Sequence, residues 1–208
     1  MADSLFITFE GIEACGKSTQ VSLLANALQH RGIQVQTTKE PGGTIVGTAI
    51  RNILLDSSQT QLDSATELFL FLADRALHVN EVVKPALAKG NVVLCDRYSD
   101  STLAYQHFGL GLSKKLIKQG NQYATGGLEA DITIYLDVPV NVSLSRIQAA
   151  VPSPDRIEIR PNDFHQRVRE GFLTIANSNS DRIHIVNGTN GITDIHEAIV
   201  QIVNKRLG

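Results

Sequence analysis

The chain has 208 residues, 42% hydrophobic and 19% charged, with a formal net charge of −2. That suits one domain with a sizeable core and gives no global electrostatic footprint for nucleic acid or an anionic membrane, although a local basic cleft is compatible with it. Two isolated cysteines, Cys15 and Cys95, without Cys/His spacing, argue against a zinc site or a disulfide framework. No basic region followed by an apolar run opens the chain, and no apolar stretch could span a bilayer. The cytoplasm is therefore the expected compartment.

Taken in chain order, Leu5 to Phe9 is an apolar run broken by Gly11 and reads as a buried strand. Val21, Leu24, Ala25 and Leu28 have helical spacing within 20–30, and Gly32 ends that helix. Residues 33–38 read as a second strand, a Lys39–Gly43 loop follows, and 46–55 looks helical. Ser64 and Glu67 have capping-box spacing ahead of a long apolar helix to about Ala88. Residues 91–95, 131–137 and 182–186 read as three further strands, and 192–207 as a closing helix. Continuous apolar strands alternating with helices predict a five-stranded parallel sheet covered on both faces. Ligands then belong beyond the carboxyl ends of the strands, where the polar motifs fall. The segment 149–154 is too short to divide domains and reads as part of a mobile lid over about 147–162, within a single domain 1–208.

Gly11-Ile12-Glu13-Ala14-Cys15-Gly16-Lys17-Ser18 fits G-x-x-x-x-G-K-[ST] between a strand and a helix. Glycines let backbone N–H groups converge on phosphate oxygens, and the helix adds its positive end. Residues Gly11 to Thr19 are the candidate ATP cradle, with Lys17 directed at the β- and γ-phosphates and Ser18 at Mg²⁺. Val92 to Asp96 is an apolar strand ending in a carboxylate, which suits an acid near the Mg²⁺ shell, bound directly or through water. The expected fold is the three-layer α/β P-loop NTPase fold. A GTPase would need a guanine-reading N-K-x-D motif, which Asn204-Lys205-Arg206 does not supply.

Phe9-Glu10-Gly11-Ile12-Glu13, Lys39-Glu40-Pro41-Gly42-Gly43-Thr44, and Asp96-Arg97-Tyr98 with Ser101-Thr102 and Ala104-Tyr105-Gln106 together resemble the bacterial thymidylate kinases. The resemblance runs in order from about Leu5 to Glu170. It implies transfer of the γ-phosphoryl group of ATP to dTMP, with Mg²⁺ as cofactor and a homodimer whose interface could come from 68–83, a segment that could equally be core. Phe71 would stack on thymine and Arg75 would bond its carbonyl. Phe71 by itself reads as plain core, whereas an arginine following such an apolar run needs a partner. By the same resemblance Thr102 and Gln106 read the pyrimidine edge and Tyr105 packs under the deoxyribose. Read without it, the three could form a solvated helix face. Arg51 and Arg97 look like the acceptor-phosphate clamp, Glu13 addresses the 3′-hydroxyl, and Glu40 assists near the metal's waters.

Two departures stand out. Glu13-Ala14-Cys15 replaces the family's usual Gly-Ala before the second glycine, so Ala14 needs a conformation open to alanine and Cys15 is expected to alkylate unless ATP shields it. The lid carries no arginine over 147–154, which leaves Arg156 as the candidate charge-stabilising residue and Arg160 as the alternative. Catalysis is thus assigned to Lys17, Arg97, Arg156 and Asp96, the last as a metal-positioning group. An acceptor phosphate needs little deprotonation at pH 7. The six histidines show no clustering and read as surface or packing residues. Three rivals remain at this stage: a dUMP or dCMP kinase, a P-loop regulatory ATPase, and a non-catalytic homologue with a depleted lid.

Overall fold

The computed structural model describes residues 4–58, 62–150 and 152–207. Its strands β1 (Phe6–Glu10), β2 (Val35–Lys39), β3 (Val92–Asp96), β4 (Ile132–Asp137) and β5 (Ile183–Asn187) form one parallel sheet in the order β2-β3-β1-β4-β5. Each lies within one or two residues of the sequence-based bounds. The central strand β1 is buried throughout, as a doubly covered strand must be.

Side-chain alternation sorts the two layers. Leu5, Ile7 and Phe9 pack with Leu24 and Leu28 of α1 (Lys17–His30) and with Ile199 and Val203 of α9 (Ile192–Leu207). Phe6 faces the other way, onto Val79, Val83 and Tyr98. Thr8 and Glu10 share that second face with β4, where the Thr8 and Thr133 hydroxyls are 2.7 Å apart. Arg182 donates to both Thr133 (2.6 Å) and Asp100 (2.8 Å), so this polar stripe is internally satisfied.

The remaining helices are α2 (Ile45–Leu55), α3 (Ser64–His78), α4 (Lys84–Ala88), α5 (Ser99–Thr102), α6 (Lys114–Thr125), α7 (Val140–Ala150) and α8 (Asn162–Asn177). The predicted helix from Ser64 to Ala88 is continuous but contains a π-helical turn at Val79–Val83, between α3 and α4. A second π-helical turn, Leu103–Gly109, prolongs α5. The capping box is corrected. Asp63, not Ser64, caps α3 by accepting from the Ala65 and Thr66 amides, because its carboxylate reaches both orphan donors. Glu67 is thereby free to turn inward, where it is fully buried.

The segment expected as a lid resolves into the end of α7, a stretch of turns over 152–161 and the first residue of α8; Val151 lies outside the described residues. The turns are tied down. Ile157 enters the core beside Phe164, and the Arg156 amide donates to the Leu55 carbonyl at 3.1 Å.

Candidate active site

The phosphate loop leaves β1 at Gly11, whose φ of 143° suits only glycine. A Cβ there would meet the Leu136 carbonyl and the Cys15 sulfur at 2.7 Å each. The loop enters α1 through Gly16 at φ 100°. Lys17 is folded over the loop, donating to the Ile12 carbonyl at 2.9 Å and the Gly11 carbonyl at 3.2 Å. Arg146 of α7 braces it from outside, through the Ala14 and Gly188 carbonyls. Ser18 donates to Asp96 at 2.6 Å, so the hydroxyl and carboxylate lie together beside Lys17 in one cavity.

Both loop departures take on physical content. Ala14 sits at φ 51°, a left-handed conformation that costs an L-residue about 1–2 kcal/mol. Alanine is tolerated there under strain, not in an ordinary conformation. Cys15 is only 1% exposed, and its sulfur accepts from Lys17 at 3.4 Å. The expected alkylation is corrected accordingly, since a reagent cannot reach the thiol without opening the loop.

The cavity, of about 280 Å³, runs from Lys17 and Ser18 to Phe71 and Gln106. At its middle stands Glu13. It accepts from Tyr105 at 2.6 Å and Arg97 at 3.1 Å, with His165 at 3.5 Å, an electrostatic contact longer than a good hydrogen bond. Burial works to raise its pKa, but His165, Arg97, Tyr105 and Lys17 together outweigh burial and hold the carboxyl down to about 2. Arg97 itself lies at φ 72° at the end of β3, which turns its guanidinium back over the Tyr105 ring, 5.0 Å from the centroid. It also donates to the Gly11 carbonyl at 2.8 Å, which joins the acceptor side to the phosphate loop.

Glu10 supports this turn. It accepts from the Tyr98 amide at 2.8 Å and from the Ser101 hydroxyl. Full burial, and then the Asp100 charge, push its pKa up to about 8, so at neutral pH it largely keeps its proton.

At the far end Arg75 is buried and almost fully engaged. Its Nε and Nη2 meet Glu40 at 2.8 and 2.7 Å, and Nη1 donates to Thr102 (2.6 Å) and Asn121 (2.7 Å). Glu40 has a further buried partner. Its second oxygen contacts His78 at 2.7 Å, so the carboxylate also positions Arg75, a role the sequence reading did not give it. Arg51 donates to the Pro41 carbonyl at 2.9 Å and lines the cavity. Phe71 is half-buried on the cavity wall, and not plain core. Thr102, Tyr105 and Gln106 are all buried; a solvated face is ruled out for them.

The lid arginines depart most from expectation. Arg156 donates through Nε to the Leu54 carbonyl (2.8 Å) and reaches Glu67 through Nη2 at 2.8 Å. Arg160 also ends on Glu67, at 2.5 Å. Neither guanidinium meets the phosphate loop in this structure, because α2's free carbonyls and a buried carboxylate hold them. His78 and His165 are buried packing residues, in keeping with the sequence reading, and they lie against two carboxylates of the site, Glu40 and Glu13. Their partners lie 38 and 152 positions away in sequence, so local spacing carries no sign of them.

The profile of the thymidylate kinase family matches residues 9–199. The chain belongs to the thymidylate kinase family. It is 46% identical to the thymidylate kinase of Trichlorobacter lovleyi over 208 residues, covering 98% of each chain. A thymidylate kinase from Trichormus variabilis is likewise 46% identical, over 97% of this chain and 96% of that one. The crystal structure of the thymidylate kinase from Ehrlichia chaffeensis superposes with a TM-score of 0.80 at 35% identity, covering 96% of this chain and 98% of that chain. Membership makes this chain a nucleoside monophosphate kinase, a phosphotransferase with the P-loop NTPase fold.

Proposed function

We propose that this member of the thymidylate kinase family transfers the γ-phosphoryl group of ATP to dTMP, giving dTDP and ADP in dTTP biosynthesis. The observation that carries the reading is one continuous cavity. The phosphate loop's Lys17 lines it together with a recess formed by Phe71, Arg75, Thr102 and Gln106. ATP lies along 11–19. The acceptor's base stacks on Phe71 and meets Arg75, Thr102 and Gln106, its sugar lies over Tyr105 near Glu13, and its phosphate faces Arg51 and Arg97.

Transfer is direct and in line. Lys17 and Arg97 stabilise charge on the moving phosphoryl group, and the cavity wall keeps the two anions aligned. Ser18 and Asp96 present two hard oxygens side by side, a donor set that fits Mg²⁺ shared with nucleotide phosphates, and no group of three His, Cys, Asp or Glu competes among the described residues. When bound, Mg²⁺ neutralises phosphate charge. Arg156 and Arg160 reach the phosphates only on leaving Glu67. Residues 152–161 act as a lid on a single domain.

Several exposed apolar side chains support a homodimer: Ile53 on α2, Phe69 (59% exposed) on α3, and Leu116 and Tyr123 (94%) on α6. No helix of the described residues is long and apolar enough to cross a membrane. Two free, buried thiols support placing the protein in the cytoplasm.

The test is ADP formation from Mg-ATP with dTMP, dUMP, dCMP, dGMP and dAMP offered separately, beside a blank without acceptor. Turnover with dTMP far above the rest is expected. Hydrolysis indifferent to all five acceptors would overturn the reading in favour of a regulatory ATPase.

A further inference from the structure

The acceptor recess holds two polar readers, Arg75 and Gln106. A guanidinium can only donate, so Arg75 demands an acceptor from whatever faces it. Gln106 is different in kind. A side-chain amide offers an acceptor at one end and donors at the other, and can present either by flipping. Its choice has to be made by a neighbour.

That neighbour is Glu67. One oxygen, Oε1, accepts from Gln106 Nε2 at 2.9 Å. The other receives both Arg156 (2.8 Å) and Arg160 (2.5 Å). Glu67 is fully buried, and with two guanidiniums set against one of its oxygens, the other stands as an acceptor for Gln106. The Gln106 amide must then turn its NH₂ to Glu67, which leaves its oxygen for the recess.

We propose that Glu67 is a specificity-determining positioning residue: by locking the Gln106 amide, it makes the recess a donor–acceptor pair that selects a pyrimidine carrying a 4-carbonyl and a protonated N3. The inference rests on the reading of a thymine-type acceptor above. Thymine and uracil offer O4 to Arg75 and N3–H to the Gln106 oxygen. Cytosine presents the reverse, a 4-amino donor against Arg75 and a bare N3 against the amide oxygen. Sites of this kind discriminate strongly, because a mismatched base leaves buried polar groups unpaired. The same carboxylate holds the lid arginines, so the base reader and the lid share one anchor.

The experiment compares kcat/KM for dTMP and dCMP in the wild type and in Glu67→Gln. An amide at position 67 either donates or accepts, so the Gln106 amide regains its freedom to flip. The dTMP-to-dCMP ratio is expected to fall about ten-fold or more, beyond any common loss of rate from freed lid arginines. Equal losses on both substrates would overturn the proposal and leave Glu67 as a lid anchor alone. If Glu67→Gln does not fold, as read by circular dichroism, Gln106→Leu decides. Leucine removes the amide, so discrimination against dCMP is expected to collapse, and its persistence would overturn the proposal. A wild type that does not prefer dTMP to dCMP refutes the base-recognition reading itself, a result separate from either variant's.

Discussion

The two ends of the cavity are built by different means. The donor end is mostly backbone: a contiguous loop, 11–18, whose amides and a folded-over lysine form the cradle. The acceptor end is mostly side chain. Arg75, Thr102, Tyr105 and Gln106 come from α3, α5 and the π-helical turn, and each is held by a buried carboxylate or its partner. A backbone site tolerates side-chain change, whereas a site of interlocked charges loses much when one partner is removed, because the other stays buried and unpaired.

The difference can be broken at its strongest point. Arg75→Ala strands Glu40 with His78 alone and is expected to cost about 3–5 kcal/mol of stability, read as a urea midpoint shift, together with a raised KM for dTMP. Lys17→Ala on the donor end is expected to lower kcat about 10²–10³-fold with little change in that midpoint. If Lys17→Ala unfolds the protein while Arg75→Ala does not, the contrast between the two ends is refuted.

The lid sharpens the contrast. If Arg156 serves chiefly as an anchor, Arg156→Ala is expected to reduce stability by about 1–2 kcal/mol through its lost cap on the Leu54 carbonyl and its lost Glu67 contact, with less than about ten-fold loss in kcat. A loss on the order of 10³-fold would instead make it the charge-stabilising residue of the sequence reading.

Two glutamates three residues apart show opposite pH behaviour. Glu10 keeps its proton to about pH 8 when folded, against an ordinary value of 4.5. Its contribution is full below pH 4.5 and is lost as pH rises through about 8. Glu13, held down to about 2, contributes above pH 4.5 and loses that contribution as pH falls through about 2. Denaturant midpoints between pH 6 and 9 are expected to fall in the wild type and to flatten in Glu10→Gln. The smallest effect is expected for Ala14→Gly, up to about 1 kcal/mol of stabilisation. Relief of the left-handed strain is partly offset there by glycine's backbone entropy.

This contrast also explains what was legible in the sequence. The phosphate loop is a run of eight residues whose spacing is its mechanism, and the strands are apolar runs, so sheet and cradle could both be read. Arg75, Thr102 and Gln106 came with a family resemblance. Their partners Asn121 and Glu67 did not, nor did His78 and His165 beside Glu40 and Glu13, because only the fold brings these residues together. Glu67 escapes the sequence reading for a specific reason: capping-box spacing is a local signal, and Asp63, one residue before Ser64, caps the helix instead at the Ala65 and Thr66 amides. The partners of Arg156 are not legible, because a sequence shows that a cation is present but not which anion holds it. Here α2 ends on unpaired carbonyls that attract it.

The π-helical turn at Leu103–Gly109 has a consequence for how this wall of the site can vary. A wide turn accommodates about one residue more than an α-helical turn would over the same rise. Deleting a single residue there would let the turn tighten to an α-helical one over the same rise, so the residues beyond it would keep their phase. Only the side chains inside the turn, Gln106 among them, would shift about the axis. The base-reading wall thus draws its spacing from one extra residue, and a change of length there would be felt in the wall and not in the helices on either side.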